Sequence, residues 1–400
     1  MERQSSIYTL QFWLLCLSNF LFSASFQMMI PELPDYLSSM GGKAYIGYII
    51  ALFTLTAGIS RPFSGKLSDT VGRVPIMAFG SIVCFICGGI YPLIHSVAGF
   101  LFLRFVHGMS TGTKPTATAA YVADIIPESR RGEAQGMLGI FTATGMSLGP
   151  TIGSYLADIF SLNTMFYVSS GMALFSIIIL LNMKETLPKA QKQAFSLKLF
   201  KIGWKDVFEP RVFPTFFVML LVSFSSGVIL TLIPDQTKML GLTNKGIFFT
   251  LYTIASLAVR LFFSKSSDRF GRVPVLIISI VFLIASMLLL AWTQSFWVFI
   301  TSSILFGFSW GFNTPTLTAW TIDLSDERYR GRAMATMYIA LEAGIGLGAY
   351  FSGMIYQGNP DKISLPYFIS AVLALISFVY LIYVNKKSKT LAEISKLIQG

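Results

Sequence analysis

Apolar residues in this chain come in long blocks, neither alternating as in a half-buried strand nor confined to one face of a surface helix. Each block runs to about 20 residues, the length an α-helix needs to cross a hydrocarbon layer about 30 Å thick. The pattern predicts twelve such helices, at 8–30, 45–64, 74–94, 97–120, 134–157, 162–183, 211–233, 245–264, 273–292, 295–319, 333–356 and 364–385. The first block is too long for the apolar stretch of a cleaved leader and no small-x-small site follows it, so it is read as a retained helix. Polar breaks are short except at 184–210, which separates a first half (1–183) from a second (211–385) and its tail (386–400).

Composition places the chain in a membrane: 54% of its 400 residues are hydrophobic, 12% are charged, and mean hydropathy is +0.66, outside the soluble globular range. The net charge of +11 matters through where it falls. Alternate loops, counted from the N-terminus, carry Arg61, Lys66, Arg73, Arg260, Arg269, Arg272 and the basic 184–210 linker, whereas the opposite loops hold only Lys43, Lys238, Lys245 and Lys362. Lys and Arg are retained on the cytoplasmic side. Both termini are therefore expected in the cytoplasm, and the basic excess is expected to face anionic headgroups rather than nucleic acid. Cys84 and Cys87 form a C-x-x-C inside the third block with no second pair, which suits packing rather than metal or redox chemistry.

One charged stretch is written twice. Asp69-Thr-Val-Gly72-Arg73-Val-Pro75 returns 199 residues later as Asp268-Arg-Phe-Gly271-Arg272-Val-Pro274. The same offset carries Gly108 to Gly307, Gly112 to Gly311, Asp124 to Asp323, Gly145 to Gly344 and Gly149 to Gly348. The repeat predicts two six-helix halves in parallel orientation, an architecture of transporters. In such a loop Gly72 supplies the chain reversal, because positive φ costs glycine little, and Pro75 opens the next helix where its missing N–H is harmless. Asp69 and Arg73 are then held at the membrane surface, where contacts made in one arrangement and broken in another form a latch. A plain topogenic charge cluster is the alternative, and it accounts for Arg73 but not for the Asp and Gly beside it. The linker places Phe200, Trp204 and Phe208 at helical spacing, as in a surface-lying amphipathic helix or a solvated connector.

Gly65-Lys66-Leu67-Ser68-Asp69-Thr70-Val71-Gly72-Arg73 resembles the loop motif of the major facilitator superfamily, departing at Val74, where a second basic residue is usual. Arg104 with Gly108 and Gly112 resembles the family's second motif, and Gly145-x-x-x-Gly149-Pro150-x-x-Gly153 its antiporter motif. The likeness spans the chain and points to the twelve-helix drug:proton antiporter branch. It implies an all-α membrane protein of two pseudo-symmetric halves, with gating at Gly65, Asp69, Gly72 and Arg73, at Asp268, Gly271 and Arg272, and along Gly145, Gly149, Pro150 and Gly153. Physically, Pro150 removes a backbone hydrogen bond and bends its helix, while the glycines admit a neighbouring helix. The second half has Ala349 and Ser352 at the positions of Pro150 and Gly153.

Ionisable residues inside spans are costly and are treated as functional. Arg104, His107 and Lys114 share the fourth span at spacings that place them on one face. Glu342 lies in the eleventh span ten residues from Arg332, roughly 15 Å deep, and is the candidate proton carrier; pairing with a buried cation such as Lys114 is the alternative. Asn19, Gln27, Trp310 and Asn313, with Ser225, Ser226 and Trp320, are candidate cavity residues, each with a packing alternative. A cationic stripe with one buried acid favours anionic or strongly polar substrates. Drug exporters of the branch often carry an acid deep in their first helix; here Glu32 and Asp35 fall at its outer boundary. Sequence motifs for ATP hydrolysis, zinc hydrolysis or a serine nucleophile are not seen. The expectation is a cofactor-free, metal-free monomeric secondary transporter of the inner membrane, exporting a small compound in exchange for protons. Import of a nutrient by symport or uniport is the other transport reading.

Overall fold

Small hydroxyl residues start several of the helices by accepting otherwise unpaired backbone N–H groups: Thr9 from Phe12 N at 3.3 Å, Ser96 from Gly99 N at 3.2 Å and Ser161 from Thr164 N at 3.1 Å. The structure, a computed structural model, describes residues 8–127, 131–190, 192–196, 199, 203, 207–263, 266–293, 295–325 and 330–399. The long helices are α1 (Leu10–Met28), α2 (Ile46–Thr70), α3 (Arg73–Ile90), α4 (Val97–Ile125), α5 (Arg131–Ile159), α6 (Leu162–Leu181), α7 (Phe213–Met239), α8 (Ile247–Phe262), α9 (Arg272–Ala291), α10 (Phe296–Leu324), α11 (Arg330–Tyr356) and α12 (Ser364–Gln399). Short helices at Leu33–Ser39 and Ser266–Phe270 extend the chain after α1 and after α8. No strand occurs among the described residues. Nine helical stretches among them are long and apolar enough to span a membrane; α8 is apolar but shorter, and α4 and α5 carry more polar residues.

Every predicted block is helical, and the differences lie at the ends. The fourth and fifth helices reach Ile125 and begin at Arg131, beyond their apolar cores. The last continues to Gln399, through the residues expected as a tail, because Leu, Ala, Glu and Lys there favour helix whether or not lipid surrounds them. Phe200 and Trp204 lie outside the described residues.

Packing groups the chain into two units, Met1–Val207 with Leu230–Thr250, and Phe208–Ile229 with Leu251–Gly400. The segment 230–250 belongs to the second half of the sequence but packs with the first unit. Within that unit α1 lies against α5 and α6, α2 against α4, and α3 against α4 and α6. Glycine sets the α1–α5 contact: a Cβ at Gly145, Gly149 or Gly153 would collide with the carbonyl oxygens of Phe20, Ala24 or Met28, one turn after another. In the second unit the repeat-related pairs recur, with Gly344 and Gly348 of α11 on Leu220 and Phe224 of α7, and Gly307 of α10 on Tyr252 of α8. Backbone-close helix contacts at small residues are how helices associate when both lipid and side chains are apolar.

Candidate functional site

The doubled loop reverses through glycines at φ +142° (Gly72) and φ +90° (Gly271), values side-chain-bearing residues rarely adopt. Each reversal leaves an arginine as the first residue of the next helix. Arg73 donates to Asp69 Oδ1 at 2.5 Å, to Ser68 O at 2.6 Å and to Asp124 Oδ2 at 3.1 Å. Arg272 repeats the arrangement, reaching Asp268, Ser267 Oγ at 2.9 Å and Asp323 Oδ2 at 2.8 Å. Both aspartates stay largely exposed, with Asp69 and Asp268 side chains 68% and 65% accessible, so their ionic contacts compete with water. Gly65 faces open space.

The two copies differ at a residue that sequence reasoning overlooked. Glu185, just past α6, caps α3: Oε1 accepts from Arg73 N at 3.0 Å and Oε2 from Val74 N at 3.1 Å. The same carboxylate holds its own chain through Thr186 N and Leu187 N, both at 2.9 Å, and Thr186 Oγ1 donates to Asp124 Oδ2 at 2.6 Å. Anionic charge at a helix N-terminus is stabilised by the aligned peptide dipoles. Position 384, 199 residues further on, is valine. The available signal was an acid, Lys-Glu-Thr-Leu-Pro, opening an otherwise basic linker.

Arg104, His107 and Lys114 are all buried in the first unit, and their partners lie on its own helices. Arg104 donates through Nε to Ile49 O at 2.9 Å and through Nη1 to Tyr91 OH at 3.3 Å, with its guanidinium 4.4 Å from the Phe53 ring centroid. Its Nη2 is buried without a hydrogen-bond partner. His107 bridges Tyr91 OH at 3.3 Å and Cys84 Sγ at 3.4 Å, so the histidine missing near the C-x-x-C in sequence stands beside it in space. Lys114 does not stretch to the membrane surface. Its Nζ donates to Ser18 O and Ser18 Oγ, both at 3.0 Å, and to Ser176 Oγ at 2.6 Å, above the Phe22 ring. Among the described residues neither cation meets a carboxylate within salt-bridge distance, so their charge is answered only by neutral oxygens and ring faces.

Asn19 donates to Thr142 Oγ1 at 2.6 Å, while its Oδ1 is buried without a partner. Gln27 is buried beneath Gly149. Pro150 lies inside α5, where the backbone of Gly246 approaches it closely. In the second unit Asn313, at the repeat position of Lys114, donates to Ser309 Oγ at 3.0 Å and leaves Oδ1 buried and unpaired. Trp310 stacks on Phe306. Glu342 is 8% exposed and stands two residues before Gly344, where α11 presses against α7. Two polar clusters beyond the candidate residues also emerge: Glu209 paired with Arg332 (Nε to Oε2, 2.9 Å) in the second unit, and Glu32 with Lys245 in the first.

Comparison with known proteins bears on the same segments. The profile of the Major Facilitator Superfamily matches residues 15–248 and 215–397. The quinolone resistance protein NorA of Staphylococcus aureus is 23% identical over 398 residues, covering 96% of this chain and 98% of its own. The multi-drug resistance efflux pump PmrA of Streptococcus pneumoniae is 28% identical over 274 residues, 65% of this chain and 68% of its own. The crystal structure of the human organic anion transporter MFSD10 superposes with a TM-score of 0.71 at 19% identity, covering 92% of this chain and 98% of that one, a likeness of fold.

Proposed function

Because the chain belongs to the major facilitator superfamily, we propose that it is a proton-coupled exporter of a small amphipathic or polar, anionic compound, working by alternating access. It is a multi-pass membrane transporter and not an enzyme. The observation that carries the export reading is the end-to-end likeness to NorA, with PmrA as a second efflux relative. In this reading the protein acts as a monomer in the cytoplasmic membrane with both termini in the cytoplasm.

The chemistry of the site supports particular roles. Arg104 and Lys114 place two cations in low-dielectric surroundings without an acid, which raises the local potential and favours a substrate carrying negative charge. Asn19, Gln27, His107, Trp310 and Asn313 supply further polar or aromatic groups for that substrate. Glu342, a buried carboxyl two residues before the point where α11 presses against α7, is the proton carrier in this reading. The loops around Arg73 and Arg272 act as latches whose exposed ionic contacts are made and broken between states. The test is transport by the purified protein in proteoliposomes with an imposed pH gradient, over a panel of anionic, zwitterionic, neutral and cationic compounds. Uphill movement of anionic members that collapses with the gradient is expected. Gradient-independent movement, or movement of cations alone, overturns the reading.

A further inference from the structure

Three sides of α8 have three different surroundings. Ile254 and Leu261, two turns apart, are exposed and mark the side that lipid covers. Tyr252, Ala255 and Val259 lie on a second side, where a Cβ at Gly307 or Gly311 of α10 would collide with their atoms. The third side carries Thr253, Ser256 and Arg260, whose spacings of three and four align them along the helix. Thr253 and Ser256 are buried. Arg260 is half-buried, roughly 20 Å along the helix from Ile247.

Arg260 differs from Arg272 and Arg332 of the same unit in what answers its charge. Arg272 meets Asp268 and Asp323, and Arg332 meets Glu209. Among the described residues Arg260 has no hydrogen bond and no ion pair, and its Nε is buried without a partner. The titratable group within electrostatic reach of it is a phenol, Tyr252, two turns back on the same helix, and no described carboxylate acts on it. A guanidinium does not escape the cost of burial by losing its proton. Arginines within membrane spans otherwise pair with acids or backbone carbonyls, and those that stand apart mark a pathway for a charged compound. A stem stretched out to the headgroups would carry Nε into water, so the burial of that atom argues against a plain interfacial anchor. With Nε enclosed and the residue only half-buried, the outer two nitrogens of the fork are the ones left open. That fork matches a carboxylate or phosphate group, which it grips through two parallel hydrogen bonds.

We propose that Arg260, on the face of α8 that it shares with Thr253 and Ser256, is a second anion contact for the transported compound and binds its carboxylate or phosphate group. The proposal rests on the export reading for the identity of the anion, and it extends that reading from Arg104 and Lys114 of the first unit to a residue of the second. A lipid phosphate offers the same chemistry, and the experiment separates the two sources.

The test is modification of arginines by phenylglyoxal in the purified full-length protein in detergent, without a gradient, read peptide by peptide by mass spectrometry. Arg260 is expected to react at least about ten times faster than Arg272 and Arg332, whose guanidinium groups are held by carboxylates. Millimolar benzoate, a small amphipathic anion, should slow Arg260 at least about threefold, as a ligand at about twice its dissociation constant does; benzyl alcohol, its neutral counterpart, should not. Reaction of Arg260 no faster than that of the paired arginines overturns the proposal, as does equal protection by benzoate and benzyl alcohol or by neither. Protection by added phosphatidylglycerol but not by benzoate assigns the residue to lipid and overturns it too. In proteoliposomes Arg260→Gln should raise the KM of an exported anion at least about tenfold with little change in kcat, and Arg260→Lys should raise it less; an unchanged KM in Arg260→Gln removes the contact. Failure of protection leaves the export reading standing, and absence of export leaves the modification rates as a complete test.

Discussion

Glu185 shows how one carboxylate turns a charged loop into a built structure. It accepts four backbone N–H groups, two from the start of α3 and two from its own chain. Charge-assisted hydrogen bonds at a helix N-terminus contribute about 1–2 kcal/mol when partly exposed. Glu185→Ala should therefore lower thermal stability of the purified protein by about that amount, and Glu185→Gln by less. The same network makes Asp69→Asn the more damaging of the two loop variants: transport should be lost with insertion and folding retained, whereas Asp268→Asn, in the copy with Val384 in place of an acid cap, should retain more. Equal transport by Asp69→Asn and the unaltered protein would mark the loop as topogenic only. Lys114 makes a second residue-scale prediction. Replacing a buried cation that has no acid by an apolar side chain of similar volume is often neutral or stabilising, and Ser18 and Ser176 already share a 2.9 Å hydrogen bond that survives the change. Lys114→Met should therefore keep its melting temperature while losing transport of anionic more than of neutral compounds; a large fall in melting temperature would make the lysine a structural brace.

Helix contacts separate glycines that matter from glycines that do not. Along α5 each of three glycines meets a carbonyl oxygen of α1, and the spacing of one turn between them leaves no room for a methyl group. Gly171 of α6 has nothing within 4 Å of its missing Cβ. Gly153→Ala should therefore lower the melting temperature of the purified protein and its yield, whereas Gly171→Ala should be neutral or raise stability by up to about 1 kcal/mol, the helix preference of alanine over glycine. Comparable losses in the two variants would show that backbone freedom, and not helix approach, is what α5 needs. Proline has a different part here: Pro150 lies inside α5 where a second segment, through Gly246, packs against the helix backbone.

At the scale of the whole molecule the open question is where proton and substrate exchange. The proposed answer is Glu342, and the decisive variant is Glu342→Gln, which keeps the shape and fixes the group as neutral. Uphill transport driven by a pH gradient should vanish while substrate binding remains and loses its pH dependence. Gradient-driven transport that persists would pass the role to another group, with His107, Glu32 and Asp35 next in line. Loss of binding at every pH together with poor folding would instead identify Glu342 as a structural partner.

Periodicity and composition by themselves determined the membrane class, the helix order and the internal repeat, because twenty-residue apolar blocks have one economical structure in lipid, where every backbone N–H and C=O must be paired within the helix. The offset between Asp69 and Asp268 likewise located both loops before any contact was known. What the chain could not announce is which distant residues share those loops and buried faces. Glu185 looked like one acid in a basic linker, Lys245 like one stray cation, and the helix-four charges like a stripe of common orientation. Only tertiary packing set Glu185 on the first turn of α3, enclosed Lys245 with Glu32, and divided the stripe between Tyr91 with Cys84 and a pair of serines. The physical reason is that helix formation is decided by neighbours three and four positions apart, whereas the partner of a buried charge is decided by whichever helix crosses at that depth, a choice made jointly with residues from 16 positions away, as for His107 and Tyr91, to 210, as for Lys245 and Asp35.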